Sequence, residues 1–257
     1  MKKLINNFLK IFDLELIKKK HSGVVDKKTL SAFQNSNKNY NLYFEGLIKS
    51  ENKNADNFWK QSRHLDLLNL VEIVLKKKLR GHFAEAGCWK GHSAYMISKL
   101  ISLHLKRNKD RDIMFHIFDS FEGLSKITNK DPNIKKLNNK KINLIRSQFV
   151  SDEQFVKDKV LKNFDFVKTY KGWIPKKFES VKNIKFSFVH IDVDLYEPTL
   201  KSLEFFFPRL TKEGVIVCDD YNSVDFSGAK KAWDKFFLKN KVSFKFAPSV
   251  SSSFIIK

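Results

Sequence analysis

Two short apolar runs that end abruptly in carboxylates constrain this chain more than any other feature. Phe186–Ile191 is followed by Asp192, and residues 215–218 are followed by the doublet Asp219-Asp220. Runs rich in β-branched and aromatic residues are typical of strands buried in a parallel sheet. Burying several carboxylates is unfavourable unless a cation, hydrogen-bond donors or a shared proton neutralises them. We therefore expect these acids to meet at one edge of a sheet, around a divalent metal ion.

A glycine-containing turn favours a nucleotide-like ligand. A strand predicted at His82–Ala86 is joined to a helix predicted at residues 94–103 by the run Glu85-Ala86-Gly87-Cys88-Trp89-Lys90-Gly91-His92-Ser93. Glycine allows close approach to the backbone, and a helix N-terminus offers free N–H groups. The run has two glycines four residues apart, so the G-x-G-x-x-G pattern of dinucleotide sites is not supported. The next strand, predicted at residues 113–118, ends in Asp119, which is well placed to accept hydrogen bonds from ribose hydroxyls.

Alternating strand and helix patterns predict a largely parallel α/β sheet, doubly wound and Rossmann-like. Further helices are predicted at residues 58–79, 200–207 and 229–237, a third strand at 166–170, and a terminal antiparallel pair at 242–246 and 254–256. We predict one domain over residues 58–257, with an insertion at about 125–163. This insertion either covers the substrate or is a surface segment without a functional role.

Residues 1–57 are predicted to form an N-terminal extension. Apolar residues recur at nearly helical spacing up to Leu16, with lysine on much of the other side, which indicates a basic amphipathic helix. Such a helix packs on its own domain, on a second subunit of a homo-oligomer, or peripherally on a membrane. The polar residues that follow are predicted to form a connecting and lid segment.

The formal net charge of +21 raises the question of nucleic-acid binding. Six of the 49 basic residues are arginine, the residue favoured for planar phosphate and base readout. We therefore favour an acidic or phosphorylated small substrate, or an anionic membrane surface, over nucleic acid. No apolar run approaches the roughly 18 residues of a membrane span. Cys88 and Cys218 lack metal-site spacing and are predicted to be buried thiols, which favours a reducing, cytoplasmic location.

Six motifs, found in order from about residue 58 to the C-terminus, resemble the macrocin O-methyltransferase family. They are Glu85-Ala86-Gly87 with Gly91, Asp119-Ser120-Phe121-Glu122-Gly123-Leu124, Gly172-Trp173, Asp192-Val193-Asp194-Leu195-Tyr196-Glu197, Asp219-Asp220-Tyr221 and Gly228-Ala229-Lys230-Lys231-Ala232. The resemblance implies a class I methyltransferase sheet and the cofactor S-adenosylmethionine. It also implies Mg²⁺ or another divalent cation, and methylation of a sugar hydroxyl.

The resemblance assigns roles to individual residues. It implies a cofactor pocket formed by Glu85, Gly87, Gly91, Ser93 and Asp192, ribose contacts from Asp119 and Ser120, and adenine contacts from Gly172 and Trp173. The metal ligands that it implies are Asp192, Asp219 and Asp220, of which the first is also a candidate general base. This chain has Val193 where the family commonly has glycine.

The residues themselves leave other roles open. Oxygen ligands favour Mg²⁺, Mn²⁺ or Ca²⁺ over Zn²⁺. His190 alternates to the same side of its strand as Asp192, so it is either a base or substrate contact, or an ordinary core histidine. Asp194 receives no assigned role.

Three functions follow from the sequence. The first is a metal-dependent O-methyltransferase acting on a sugar or glycan that is free, nucleotide-linked or lipid-linked. The second is a nucleic-acid methyltransferase or binder, although the stretch from Asp192 to Pro198 lacks the N-P-P-[YF] motif of base-amine chemistry. The third is a non-catalytic scaffold that retains the methyltransferase fold.

Overall fold

A computed structural model describes residues 14–16, 24–26, 38–52, 56–108, 112–242, 245–246 and 252–257. Near the N-terminus, strand β1 (Leu14–Leu16) pairs antiparallel with β2 (Val24–Asp26). The predicted amphipathic helix is therefore wrong for its last three residues, and the rest of that prediction lies outside the described residues.

A seven-stranded sheet with the order β5-β4-β3-β6-β7-β9-β8 forms the centre of the fold. Its strands are β3 (His82–Ala86), β4 (Phe115–Asp119), β5 (Val167–Lys171), β6 (Phe186–Ile191), β7 (Leu210–Cys218), β8 (Lys245–Phe246) and β9 (Ser253–Ile256). Strands β3 to β7 are parallel to one another, whereas β9 is antiparallel to β7 and to β8. This arrangement confirms the predicted doubly wound α/β sheet with a terminal antiparallel pair.

The helices predicted at residues 58–79, 94–103, 200–207 and 229–237 are all present, and further short helices accompany them. In chain order, the helices are α1 (Tyr40–Lys49), α2 (Phe58–Lys76), α3 (His92–Arg107), α4 (Pro132–Lys135), α5 (Asn139–Gln148), α6 (Glu153–Phe155), α7 (Tyr196–Phe206) and α8 (Ser227–Asn240). A π-helical turn (Val156–Val160) and two 3₁₀ turns (Lys176–Val181 and Phe207–Arg209) complete the set in the described ranges. Asn57 caps α2, because its side chain accepts the Lys60 N–H. None of these helices is long and apolar enough to cross a membrane.

Alternation along the strands divides the core between the two faces of the sheet. Phe83 packs with Val71 and Ile97 under α1, α2 and α3, whereas its neighbour Ala84 packs with Phe206 under α7 and α8. Both cysteines, Cys88 and Cys218, are buried at the ends of β3 and β7. The two layers of helices therefore leave the carboxyl edge of the sheet free to form a site.

Helix α1 is the element that the sequence pattern missed, since it lies within the predicted connecting segment. Tyr43 and Leu47 are almost fully buried, in the same core cluster as residues of α2 and α3. The Tyr43 hydroxyl donates a 2.6 Å hydrogen bond to Asp56. These contacts attach residues 40–49 to the main domain.

The insertion at residues 125–163 contains helices α4 to α6 and a small core of its own, which includes Ile127 and Ile134. It is fixed to the sheet by Asp131, whose Oδ1 accepts the Tyr196 N–H at the start of α7 at 2.7 Å. A Cβ on Gly228 would lie 2.0 Å from the same oxygen, so the start of α8 also packs tightly against this insertion.

Candidate active site

A cavity of about 780 Å³ opens at the carboxyl edge of the parallel strands. This is the edge at which ligands bind in open α/β sheets, and the volume is typical of small-molecule sites. Among the predicted site residues, the cavity is lined by Gly87, Ser93, Asp119, Ser120, Gly172, Trp173, Asp192, Asp219 and Asp220. Three other predicted residues, Glu85, Gly91 and His190, are buried and do not line the cavity.

The turn after β3 approaches the end of β6 very closely. Gly87 has φ +85°, and a Cβ at this position would lie 1.8 Å from the carbonyl oxygen of Asp192. Gly91, with φ +81°, is the N-cap of α3. Glycine is therefore required at residue 87, both by the backbone conformation and by the lack of space. The same contact places Asp192 directly beside the turn.

Asp119 holds this turn from the neighbouring strand. Its Oδ2 accepts the N–H groups of Cys88 and Trp89, both at 2.8 Å, and its Oδ1 accepts the Phe121 N–H at 2.7 Å. A carboxylate oxygen has two acceptor positions. One position on Oδ1 thus remains for a ligand hydroxyl, and the main observed role of Asp119 is to order the turn.

Ser120 and Trp173 differ in how available their side chains are for contact with a ligand. The Ser120 hydroxyl donates to the Gly123 carbonyl and accepts the Glu122 N–H, each at 3.1 Å. Trp173 is 39% exposed at the cavity wall, while the Gly172 N–H donates to the Asp119 carbonyl at 2.8 Å. An exposed indole beside a pocket can stack on a planar ring.

The carboxyl ends of β6 and β7 bring four acids together, as their order in the sheet requires. We call this set the acid cluster: Asp192, Asp194, Asp219 and Asp220. Ligand atoms of His190, Asp192 and Asp219 all lie within 4.8 Å of one another. Asp220 is outside this group of three, and its Oδ2 accepts the Asp194 N–H at 3.1 Å.

Burial and mutual repulsion shift the proton equilibria of the acid cluster. Burial first, and then the charge of Asp219, raise the pKa of Asp192 to about 7. Burial likewise raises the pKa of Asp194 and of Asp220 well above the ordinary value, with further repulsion from neighbouring acids. Burial would also raise the pKa of Asp219, but Arg63 and His190 outweigh it and keep that pKa low. The cluster therefore contains more acid than the adjacent cations neutralise.

His190 is a buried partner of the acids. Its Nδ1 lies 2.8 Å from Glu85 Oε1, and its Nε2 lies 3.4 Å from Asp219 Oδ1. Burial lowers the pKa of His190, but the hydrogen bonds to Asp219 and Glu85 outweigh burial and raise it to about 10. A protonated imidazole that donates to two acids cannot accept a proton, so this position favours the core-histidine interpretation over that of a base.

Helix α2 contributes cavity residues that the sequence pattern did not single out. Arg63 Nη1 lies 2.9 Å from Asp219 Oδ2, and Lys60 and His64 line the cavity beside it. Burial, followed by the charge of Arg63, lowers the pKa of Lys60 to about 8. The only signal in the sequence was polar residues at positions i, i+3 and i+4, which share one face of a helix.

Two neutral histidines complete the wall of the cavity next to α1. The rings of His64 and His92 stack with their centroids 4.7 Å apart. Burial lowers the pKa of His92 to about 3 and that of His64 well below its ordinary value. His92 Nε2 lies 3.0 Å from the Tyr43 carbonyl and donates to it, which leaves Nδ1 as an acceptor.

The donor set fits a hard divalent cation. Asp192 and Asp219 offer carboxylate oxygens, the ligands that Mg²⁺ and Mn²⁺ prefer. Asp219 Oδ2 accepts no aligned hydrogen bond from the described residues, although it is buried. The nitrogens of His190 already face Glu85 and Asp219, so its side chain supports the ligands from behind.

The sheet order, the glycine turn and the cavity at the carboxyl edge define a class I, Rossmann-like methyltransferase fold. The model of one protein family, described as Macrocin-O-methyltransferase (TylF), matches residues 52–247. The chain belongs to this family, as its six motifs predict.

Two curated proteins are similar to this chain over part of its length. The chain is 27% identical over 161 residues to mycinamicin III 3''-O-methyltransferase of Micromonospora griseorubida. This match covers 61% of each of the two chains. It is 26% identical over 158 residues to 8-demethyl-8-(2,3-dimethoxy-alpha-L-rhamnosyl)-tetracenomycin-C 4'-O-methyltransferase of Streptomyces olivaceus, covering 59% of this chain and 57% of that one. The matched part thus spans about three fifths of the length of these relatives.

Solved structures with the same fold include the O-methyltransferase NovP and the calicheamicin methyltransferase CalS11. NovP superimposes with a TM-score of 0.59 at 19% identity, covering 77% of this chain and 80% of its own. CalS11 superimposes with a TM-score of 0.58 at 16% identity, covering 90% of this chain and 93% of its own. At these identities the similarity establishes the fold.

Proposed function

We propose that this chain is an S-adenosylmethionine-dependent O-methyltransferase that requires a divalent metal ion and acts on a hydroxyl of a sugar or glycan. The observation that carries the proposal is that the acid cluster and the glycine turn open into one cavity. A cofactor held at the turn after β3 and an acceptor held at the ends of β6 and β7 would then lie side by side. Such positioning is the main requirement of a displacement reaction.

Residues of the turn are suited to bind the cofactor. Helix α3 begins at the turn, and its first residues His92 and Ser93 line the cavity, so its N-terminal end faces the ligand. The remaining acceptor position on Asp119 suits a ribose hydroxyl, and the exposed Trp173 suits the adenine ring. Bound there, S-adenosylmethionine supplies an electrophilic methyl group.

Asp192 is the residue best suited to take the proton of the acceptor hydroxyl. It lines the cavity at the end of β6, directly beside the turn that would hold the cofactor, and a position within reach of the reacting hydroxyl is the first requirement of a general base. Asp192 and Asp219 would hold the metal, and a divalent cation bound by them would lower the pKa of the hydroxyl. Neutral His64, whose Nδ1 lies 2.8 Å from the Lys60 carbonyl, keeps Nε2 as an acceptor that can orient another hydroxyl of the sugar.

Relatives support a sugar as the acceptor. One curated relative is named as a 3''-O-methyltransferase of mycinamicin III, and the other as a 4'-O-methyltransferase of a tetracenomycin C that carries a dimethoxy-rhamnosyl group. A second structure of CalS11, which superimposes with a TM-score of 0.51, is described as that of a TDP-rhamnose 3'-O-methyltransferase. A nucleotide-linked sugar is anionic, which agrees with the net charge of +21 and with Lys60 at the cavity. We infer a small-molecule or carrier-linked glycan substrate, with nucleic acid disfavoured.

We propose that residues 58–257 form the methyltransferase domain and that residues 1–57 extend it, in the cytoplasm. Peripheral membrane contact and a role in homo-oligomer formation were predicted for an N-terminal helix, which falls largely outside the described residues.

A methyl-transfer assay tests the function. Wild-type protein is incubated with methyl-labelled S-adenosylmethionine, Mg²⁺ and a panel of nucleotide sugars, glycosides and lipid-linked glycans, with and without EDTA. We expect label in one class of sugar, and its loss with EDTA and in Asp219→Asn. Transfer that persists at the wild-type rate under both conditions would contradict metal dependence, and transfer to RNA alone would contradict the sugar substrate.

A further inference from the structure

The Arg63 guanidinium lies where a cation is needed in the acid cluster. It reaches the cluster from α2, and its Nη1 lies 2.9 Å from Asp219 Oδ2. Its favourable electrostatic partners are Asp219, Asp192, Asp220 and Asp194, in decreasing order. Arginine stays ionised under all ordinary conditions. The acids of the cluster therefore have a permanent cation supplied by the chain itself.

This contact is electrostatically favourable but incompletely hydrogen-bonded. Arg63 Nε is buried without a hydrogen-bond partner among the described residues. Asp219 Oδ2 accepts no aligned hydrogen bond from them either, although Nη1 is close. A buried charged pair of good geometry would satisfy both groups. The pair is thus open to exchange with another cation that binds the same oxygen.

Arg63 also has a route out of the cluster. Its side chain is 27% exposed and lines the cavity, whereas that of Asp219 is 3% exposed. The guanidinium can therefore move into solvent in the cavity while the carboxylates stay in place on the rigid ends of β6 and β7.

We propose that Arg63 is a built-in competitor for the divalent cation, which occupies Asp219 Oδ2 in the metal-free protein and weakens metal binding. The inference rests on the proposed metal dependence. Because Arg63 Nη1 lies 2.9 Å from Asp219 Oδ2, a metal ion that binds this oxygen must first displace the guanidinium. Removal of the positive charge should therefore tighten metal binding, the opposite of what the loss of a structural ion pair does.

Direct Mn²⁺ titration by calorimetry, with free Mn²⁺ followed by electron paramagnetic resonance, tests this inference without reliance on activity. Wild type is compared with Arg63→Gln, Arg63→Lys and Arg80→Gln. Arg80 is exposed, so Arg80→Gln makes the same change in net charge away from the cluster. We expect Arg63→Gln to bind Mn²⁺ at least about ten-fold more tightly than wild type. Arg63→Lys should be intermediate, and Arg80→Gln should stay within about two-fold of wild type.

Several outcomes would overturn the inference. Unchanged or weaker Mn²⁺ binding by Arg63→Gln would show that Arg63 positions Asp219 instead of competing for it, and would leave the proposed metal dependence intact. If Arg63→Gln does not fold, Arg63→Lys decides, and an affinity at or below that of wild type contradicts competition. Absence of Mn²⁺ binding in every variant that folds would contradict metal dependence itself.

Discussion

At the residue scale, Asp119 orders the candidate site through hydrogen bonds to the backbone, and it takes no part in the proposed reaction itself. It accepts three backbone N–H groups from two different loops. A motif-based interpretation assigns this acid to the ribose, and only one acceptor position remains for that role. The acid at the end of β4 therefore orders the cofactor turn before any ligand arrives.

We predict that Asp119→Asn weakens S-adenosylhomocysteine binding by at least about ten-fold. An amide nitrogen cannot accept the hydrogen bonds that a carboxylate oxygen accepts, so at least one N–H loses its partner, at a cost of about 1–3 kcal/mol. Calorimetric titration measures the effect. Asp152→Asn is the matched control, because Asp152 is exposed and asparagine caps a helix equally well. Equal binding by the two variants would contradict the role given to Asp119.

Another residue-scale prediction concerns His116, which lies on β4 away from the acid cluster. Burial lowers its pKa from 6.5 to about 4. The unfolded chain therefore takes up a proton between pH 6.5 and pH 4 that the folded protein does not. The stability that this residue contributes is complete above pH 6.5 and is lost as the pH falls towards 4, at most about 3 kcal/mol.

Denaturant unfolding of wild type and His116→Gln at pH 7 and pH 4.5 measures this contribution. Titration of every other group is common to both proteins, so the comparison isolates one side chain. We expect the free energy of unfolding to fall less in His116→Gln than in wild type over this range. A fall of equal size in both proteins would mean that His116 titrates normally in the fold.

At the element scale, helix α1 packs closely against α3 because residue 46 is glycine and has no side chain. A Cβ on Gly46 would lie 2.6 Å from His92 Cδ2 and 3.0 Å from Met96 Cγ. Alanine favours a helix over glycine by about 1 kcal/mol, but overpacking of a well-packed core costs about 1–3 kcal/mol. The second effect should prevail, because the His92 ring is buried and hydrogen-bonded to Tyr43.

We therefore predict that Gly46→Ala lowers the free energy of unfolding by about 1–2 kcal/mol. Asn41→Ala, at an exposed position of the same helix, should leave it unchanged within about 0.5 kcal/mol. Chemical denaturation compares the two variants with wild type. A Gly46→Ala protein as stable as Asn41→Ala would show that α1 is free to shift away from α3.

The elements also differ in how far their sequence predicts them. Strands β6 and β7 were predictable because buried parallel strands are continuous apolar runs and the acids mark their ends. Helix α1 was not, since it is short, contains Gly46 and lies between stretches rich in asparagine and lysine, which hide the packing of Tyr43 and Leu47. Arg63 was equally hidden, because the charge that it neutralises lies more than 120 residues away and becomes a neighbour only through the order of the sheet.

At the scale of the whole molecule, a few charged or titratable groups set the electrostatics of the site: the four acids of the acid cluster, Lys60 and Arg63 of α2, and three histidines. The cofactor turn, the acid cluster and the cations of α2 come from distant parts of the chain. They converge because β3, β6 and β7 are adjacent and parallel. The central claim is that this convergence carries out methyl transfer to oxygen.

Single-turnover methyl transfer by Asp192→Asn, alongside wild type and with S-adenosylhomocysteine binding measured on the same samples, tests this claim most directly. Removal of the proton acceptor should reduce the rate of sugar methyl-ether formation by at least about 100-fold. Cofactor binding should stay within about three-fold of wild type, because the neutral amide keeps the shape of the side chain. Wild-type rates in Asp192→Asn, or a methylated product without a sugar ether, would contradict the account.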